Sequence, residues 1–169
     1  MNPSITDNAV YQALGGFLSS AFGCQVIRGQ VNEVSMPQGA FILMNDVWKK
    51  ALSTNAHAYS KTNSGQVSIK TPVEYCIQVN FYGDGSGEMA STFITLSQDA
   101  YAFDGFPKGI KILYATLLKQ DPLITGEKNF LERWATEVHI QFNPTVTTPA
   151  DYAEELIVSV NLANGKVIS

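Results

Sequence analysis

A chain of 169 residues with 45 % hydrophobic and 11 % aromatic residues fits one folded domain spanning 1–169 and is too apolar to stay disordered. Its net charge of -4, with Lys49 and Lys50 as the only adjacent basic pair, excludes a protein that grips nucleic acid through clustered cations. No apolar run approaches the roughly 20 residues that span a bilayer, and the opening Met1-Asn2-Pro3-Ser4 lacks the basic and apolar regions of a secretory signal.

From Thr6 to Phe22, the apolar residues Val10, Leu14, Phe17, Leu18 and Ala21 fall on one stripe of a helix. Ser4 or Thr6 would cap it, Asp7 favours its dipole, and Gly23 can take the left-handed conformation that ends it. Gly15 and Gly16 inside the helix point to something packed closely there, a neighbouring backbone being the simplest occupant. Gln25 to Val31 reads as a strand, Pro37-Gln38-Gly39 as a turn, and a second strand starts at Ala40 and runs past Trp48 towards Leu52 without a clean period. Ser53 to Gln66 is polar and aperiodic, the pattern of a long exposed loop or the tip of an extended hairpin.

After Pro72, Val73, Tyr75, Ile77, Val79 and Phe81 alternate with Glu74, Cys76, Gln78, Asn80 and Tyr82, which predicts a strand with one apolar face. Gly83-Asp84-Gly85-Ser86-Gly87 breaks it. A single second helix is predicted through Met89, Phe93, Leu96, Ala100 and Phe103, stopped by Asp104-Gly105-Phe106-Pro107. Three further strands follow at Ile110–Leu117, Asn129–Phe142 and Tyr152–Leu162. In the middle one Phe130, Trp134, Val138, Ile140 and Phe142 share a face opposite Arg133, Glu137, His139 and Gln141. Asn143-Pro144 and the Thr-rich run to Pro149 read as a hairpin-like connection. The fold class expected is α+β: two helices packed on one face of a mixed, mainly antiparallel β-sheet, with an extended loop or hairpin.

Chemistry is sparse. The glycine-rich turn from Gly83 to Gly87 follows a strand and opens a helix, as anion sites do, but Glu88 occupies the place of the third fingerprint glycine and no Lys-Ser or Lys-Thr pair follows. A capped turn is the better reading, with Ser86 as N-cap and Glu88 offsetting the dipole; a small-ligand module is the alternative. His57 stands in the polar loop without a partner. His139, flanked by Glu137 and Gln141, could mimic an acid–base pair, though a cross-strand surface contact accounts for it. Cys24 and Cys76 lack the close spacing of metal or redox motifs and read as free buried thiols from a reducing compartment, one disulfide between the two being the alternative. No nucleophile elbow is present. The expectation is therefore no catalytic residue, no cofactor, no metal and no enzyme. Charged residues are only 15 % of the chain, and an uncharged polar surface suits lasting contacts. Trp134 reads as core and Trp48 as contact surface; with Trp48, the residues Lys49, Lys50, His57, Tyr59 and Lys61 form the candidate interface.

Phe81-Tyr82-Gly83 before a helix, Gly109-Ile110-Lys111-Ile112-Leu113-Tyr114-Ala115, and Phe130-Leu131-Glu132-Arg133-Trp134 leading into His139-Ile140-Gln141-Phe142-Asn143 resemble the phage neck and tail terminator family, over a span from about Gly23 to Leu162. The resemblance implies a small α/β subunit of the virion, made in the bacterial host cytoplasm. Such subunits form a ring, usually a hexamer, on the last ring of the tail tube protein, and then join the head–tail connector. It supplies no catalytic residues. DNA would pass through an acidic lumen without sequence-specific binding. Another neck or tail-tube ring component, such as a head completion protein, is the alternative within the same class.

Overall fold

The computed structural model describes residues 1–29, 37–59, 65–121, 123–124 and 130–150. The strand expected at 152–162, the end of the one expected to reach Val31, and Lys61 lie outside them.

Helix α1 (Asp7–Phe22) starts where the Thr6 side chain accepts the Ala9 N–H and ends at Gly23, whose φ of 63° is left-handed. It buries Val10, Tyr11, Leu14, Phe17 and Leu18. Gly15 makes the close approach that its size foretold, but to the Met44 side chain rather than to a backbone: a Cβ there would meet Met44 Cε at 3.2 Å, while Gly16 has open space. Strand β1 (Gln25–Arg28) then pairs in parallel with β2 (Phe41–Ala51). The hairpin β3 (Ala56–Tyr59) and β4 (Gln66–Lys70) occupies the polar segment. Next come β5 (Val73–Tyr82), α2 (Ser86–Ser97), α3 (Ala100–Gly105), β6 (Ile110–Ala115), β7 (Lys119–Gln120), β8 (Leu123–Ile124), β9 (Phe130–Leu131), β10 (Arg133–Phe142) and β11 (Thr145–Pro149).

The main sheet runs β1-β2-β5-β10-β6, with β7 also on β10, and is antiparallel except at β1. All three helices contribute to one core on one face of it, against Ile42, Met44, Tyr75, Ile77, Val79, Phe81, Val138, Ile140 and Phe142. Phe93 of α2 sits between Phe17 and Phe81 at ring distances of 6.4 and 5.8 Å. The expected α+β class, with a mixed and mainly antiparallel sheet covered on one face, is what the structure shows.

Four local expectations are corrected. The second helix is two, because Gln98 closes α2 and the Asp99 side chain accepts the Tyr101 N–H to cap α3; an Asx cap ends one helix and starts another within an unbroken apolar stripe, and it leaves Phe103 62 % exposed. The N-cap of α2 is Gly85 in the left-handed region, not Ser86, which is fully buried and whose hydroxyl makes no hydrogen bond. The Thr-rich run after Pro144 is no loop: β11 leaves the main sheet and pairs with β4, making a second sheet in the order β11-β4-β3. The strand read as Asn129–Phe142 is interrupted at Glu132 between β9 and β10.

Candidate functional site

Side chains alternate across a strand, so the residues of β5 and β10 that do not face the helices converge on the far side. Sequence alternation suggests that this side is solvated. Instead Glu74, Cys76, Asn80 and His139 are buried there. His139 is thus no surface contact, and its carboxylate partner is Glu74 rather than Glu137: Nδ1 lies 2.8 Å from Glu74 Oε1, while the other Glu74 oxygen meets Lys50 Nζ at 2.9 Å.

Two bulges bring aromatic rings to the same level. The register of β2 against β5 slips between Asp46 and Trp48, so Val47 is extra and Trp48 turns to the far face while Asp46 keeps to the helix side. The register of β6 against β10 slips at His139, leaving Leu113 extra and Tyr114 opposite His139. A bulge re-aims the side chain that follows it. The result is a row across four strands, Trp48, Cys76, His139 and Tyr114, in which Tyr114 stacks on the imidazole at 4.1 Å and Trp48 meets it edge-on at 5.4 Å. The bulge at Val47 also explains why β2 has no clean period.

Electrostatics follow from the packing. The hydrogen bond from Lys50, reinforced by His139, holds the Glu74 carboxyl below its ordinary range. Burial, with Glu137 beside it, pushes the Cys76 thiol up to about 12. Cys76 Sγ lies 3.8 Å from Glu137 Oε2 and 4.0 Å from His139 Nε2. Both cysteines are free thiols, Cys76 buried and Cys24 half-buried. Farther along the same face, Arg133 donates twice to Asn80 Oδ1, at 2.8 and 3.1 Å, and reaches Asp121 at 3.0 Å.

The candidate interface residues are dispersed. Trp48 and Lys50 belong to the row around His139. Lys49 turns the other way and pairs with Asp7 of α1. His57 and Tyr59 stand on one side of the exposed strand β3, and Lys61 is outside the described residues. The glycine-rich turn does not form a phosphate cradle: a Cβ on Gly87 would meet the Trp134 indole nitrogen at 3.0 Å, and that nitrogen donates to Glu132, so an indole and a carboxylate occupy the space beside the helix start. Trp134 packs against the core, as its strand face implied. Sequence reasoning missed Glu74 and Cys76 as partners of His139. The only available signal was that all three stand at polar positions of apolar strands.

The model of the phage neck terminator protein family matches residues 8–168. The chain belongs to that family. None of the curated proteins matches the sequence. Among solved structures, the fold is similar to the sheath/tube terminator of an extracellular contractile injection system, PVC, in its extended state, determined by cryo-electron microscopy. That likeness has a TM-score of 0.50 at 10 % identity, and covers 96 % of this chain but 66 % of the other. Among the described residues, no helix is long and apolar enough to cross a membrane.

Proposed function

We propose that this chain is a non-enzymatic structural protein of the virion that closes into a ring, a hexamer, on the tail tube protein, ends tail growth there and joins the tail to the head–tail connector, with DNA passing through the lumen. The observation that carries this reading is the family match across residues 8–168, which spans every strand of the main sheet.

The surface supports it. A closed ring needs a heterologous interface, two different patches that fit each other on successive copies. Exposed large apolar residues occur on both sides of the central pair β5 and β10. On one side Phe103 of α3, the bulged Leu113 of β6 and Leu117 stand out, Leu117 being 86 % exposed. On the other side are Val47 and Leu52 around β2 and Tyr59 on the β3 arm, Tyr59 being 73 % exposed. Among the described residues β6 pairs only with β10, so its outer edge is free for a neighbouring copy to cover. His57, Tyr59 and Lys61 would belong to the arm's side of the contact, and Trp48 and Lys50 to the face beside it, with Lys49 at its margin. The net negative charge would repel DNA from the lumen. Synthesis in the host cytoplasm fits the free thiols.

Electron microscopy and sedimentation of the purified chain, with and without tail tubes, test the proposal. Closed annuli are expected, and Tyr59→Ser or Leu117→Ser should each open them. A chain that stays monomeric at high concentration and is absent from purified virions overturns it. Localisation elsewhere along the particle would favour a different ring component.

A further inference from the structure

The far face of the sheet brings three chemically different donors to one point. Cys76 and His139 are register partners on neighbouring strands, and Glu137 lies two residues before His139, so the pleat turns all three side chains to the same side. Their donor atoms lie within 4.8 Å of one another. Atoms bound to one tetrahedral zinc ion at about 2.0–2.3 Å stand roughly 3.3–3.7 Å apart, and the sulfur already lies 3.8 Å from Glu137 and 4.0 Å from His139. Small side-chain rotations close the difference.

We propose that Cys76, His139 and Glu137 bind a zinc ion, with the fourth position left to water. Four observations point this way. Glu74 holds His139 through Nδ1 at 2.8 Å, the carboxylate support that a metal-bound imidazole ordinarily has, and this directs the Nε2 lone pair towards Cys76. The charges balance: a thiolate and the Glu137 carboxylate offset the dication, and Lys50 offsets Glu74 at 2.9 Å, so no uncompensated charge is buried. Tyr114 and Trp48 flank the imidazole with aromatic surface, and the His139 side chain they hold is buried and fixed in place. Finally, Glu137 also lines a cavity of about 310 Å³ together with Gln78, Thr116 and Leu117, which gives an approach from solvent and room for the water. Sulfur with imidazole selects zinc over magnesium or calcium, which prefer oxygen alone. The site escapes a search by spacing because Cys76 and His139 are 63 residues apart and meet only through strand register.

This inference does not depend on ring formation. The full chain, stripped of metal with a chelator, is titrated with Zn²⁺ and separately with Co²⁺ as a spectroscopic probe. One ion per chain is expected, with a near-ultraviolet thiolate-to-cobalt band that zinc abolishes. Cys76→Ser should remove the band, and Glu137→Gln, at a half-buried position, should weaken zinc binding about 10-fold or more. Glu74→Gln should weaken it about 10- to 100-fold while keeping the band, since it acts through His139. Circular dichroism verifies that each variant is folded, and Glu137→Gln keeps the test decisive if a buried substitution unfolds. Wild-type chain that takes up no zinc at micromolar concentration, or folded Cys76→Ser and Glu137→Gln chains that bind as tightly as wild type, overturns the proposal.

Discussion

The two faces of the main sheet are made by the same strands and held by different forces. On the helix side, Ile77, Val79, Phe81, Val138 and Ile140 meet Leu14, Leu18 and Phe93, all fully buried, and the stabilisation comes from apolar area and close packing. On the far side the corresponding positions are Glu74, Cys76, Asn80 and His139, also buried, where each polar group must find a partner or weaken the fold. The first face can absorb changes that conserve volume. The second depends on pairs, and loses most when one member is removed.

The largest effect is expected on the helix side. Phe93→Ala empties the space between Phe17 and Phe81 and should destabilise the chain by about 3–5 kcal/mol, measured by denaturant unfolding. Glu74→Gln changes almost no volume, so a purely packed face would tolerate it. On this face it removes charge-assisted hydrogen bonds from both Lys50 and His139, and a loss of about 1.5–3 kcal/mol is expected.

How much of this was legible beforehand follows the same division. Helix α1 could be read from end to end because Thr6, Asp7, the apolar stripe and Gly23 are local signals that all agree. The helix-side faces of β5 and β10 could be read because an apolar alternation implies burial. The far face could not, since Glu74, Cys76, Asn80 and His139 look like solvated positions until β10 is known to lie beside β5. The bulges at Val47 and Leu113 shift the period by one residue, which in a sequence looks like noise, and they alone place Trp48 and Tyr114 against His139. The break between α2 and α3 was hidden because the apolar spacing continues through Asp99. His139 could be singled out, but its true partner, Glu74, lies 65 residues away.

Titration separates the faces without any change of volume. The Glu74 carboxyl is depressed in the fold, so its contribution is complete above the unfolded value of about 4.3 and is lost as pH falls through the folded value. Cys76 has the opposite sign: its thiol is raised to about 12, so its contribution is complete below about 8.5 and declines as pH rises. Metal-free wild type should therefore lose stability on both flanks. Glu74→Gln should flatten the acid flank, and Cys76→Ser the alkaline one between about pH 8.5 and 10, before tyrosines ionise. Equal slopes in wild type and variants would show that the far face is not held by these pairs.

The smallest effect comes from two adjacent lysines that the pleat sends to opposite faces, the bulge at Val47 deciding which takes which. Lys49 pairs with Asp7 where both side chains are well exposed, 40 % and 49 %, and solvent screens such pairs. Lys50 pairs with Glu74, which is only 5 % exposed, so its removal leaves a buried carboxylate whose remaining partners, His139 and the Tyr114 hydroxyl, both meet the other oxygen. Lys50→Gln should therefore destabilise by about 1–2 kcal/mol and flatten the acid flank, because the Glu74 carboxyl loses the largest cause of its depression and its folded value moves back towards the unfolded one. Lys49→Gln should change stability by about 0.5 kcal/mol or less, and high salt should erase even that. If the two substitutions cost the same, the burial of Glu74 is not what distinguishes the faces. If Lys49→Gln costs more, the seam between α1 and the end of β2 carries stability that packing alone does not account for.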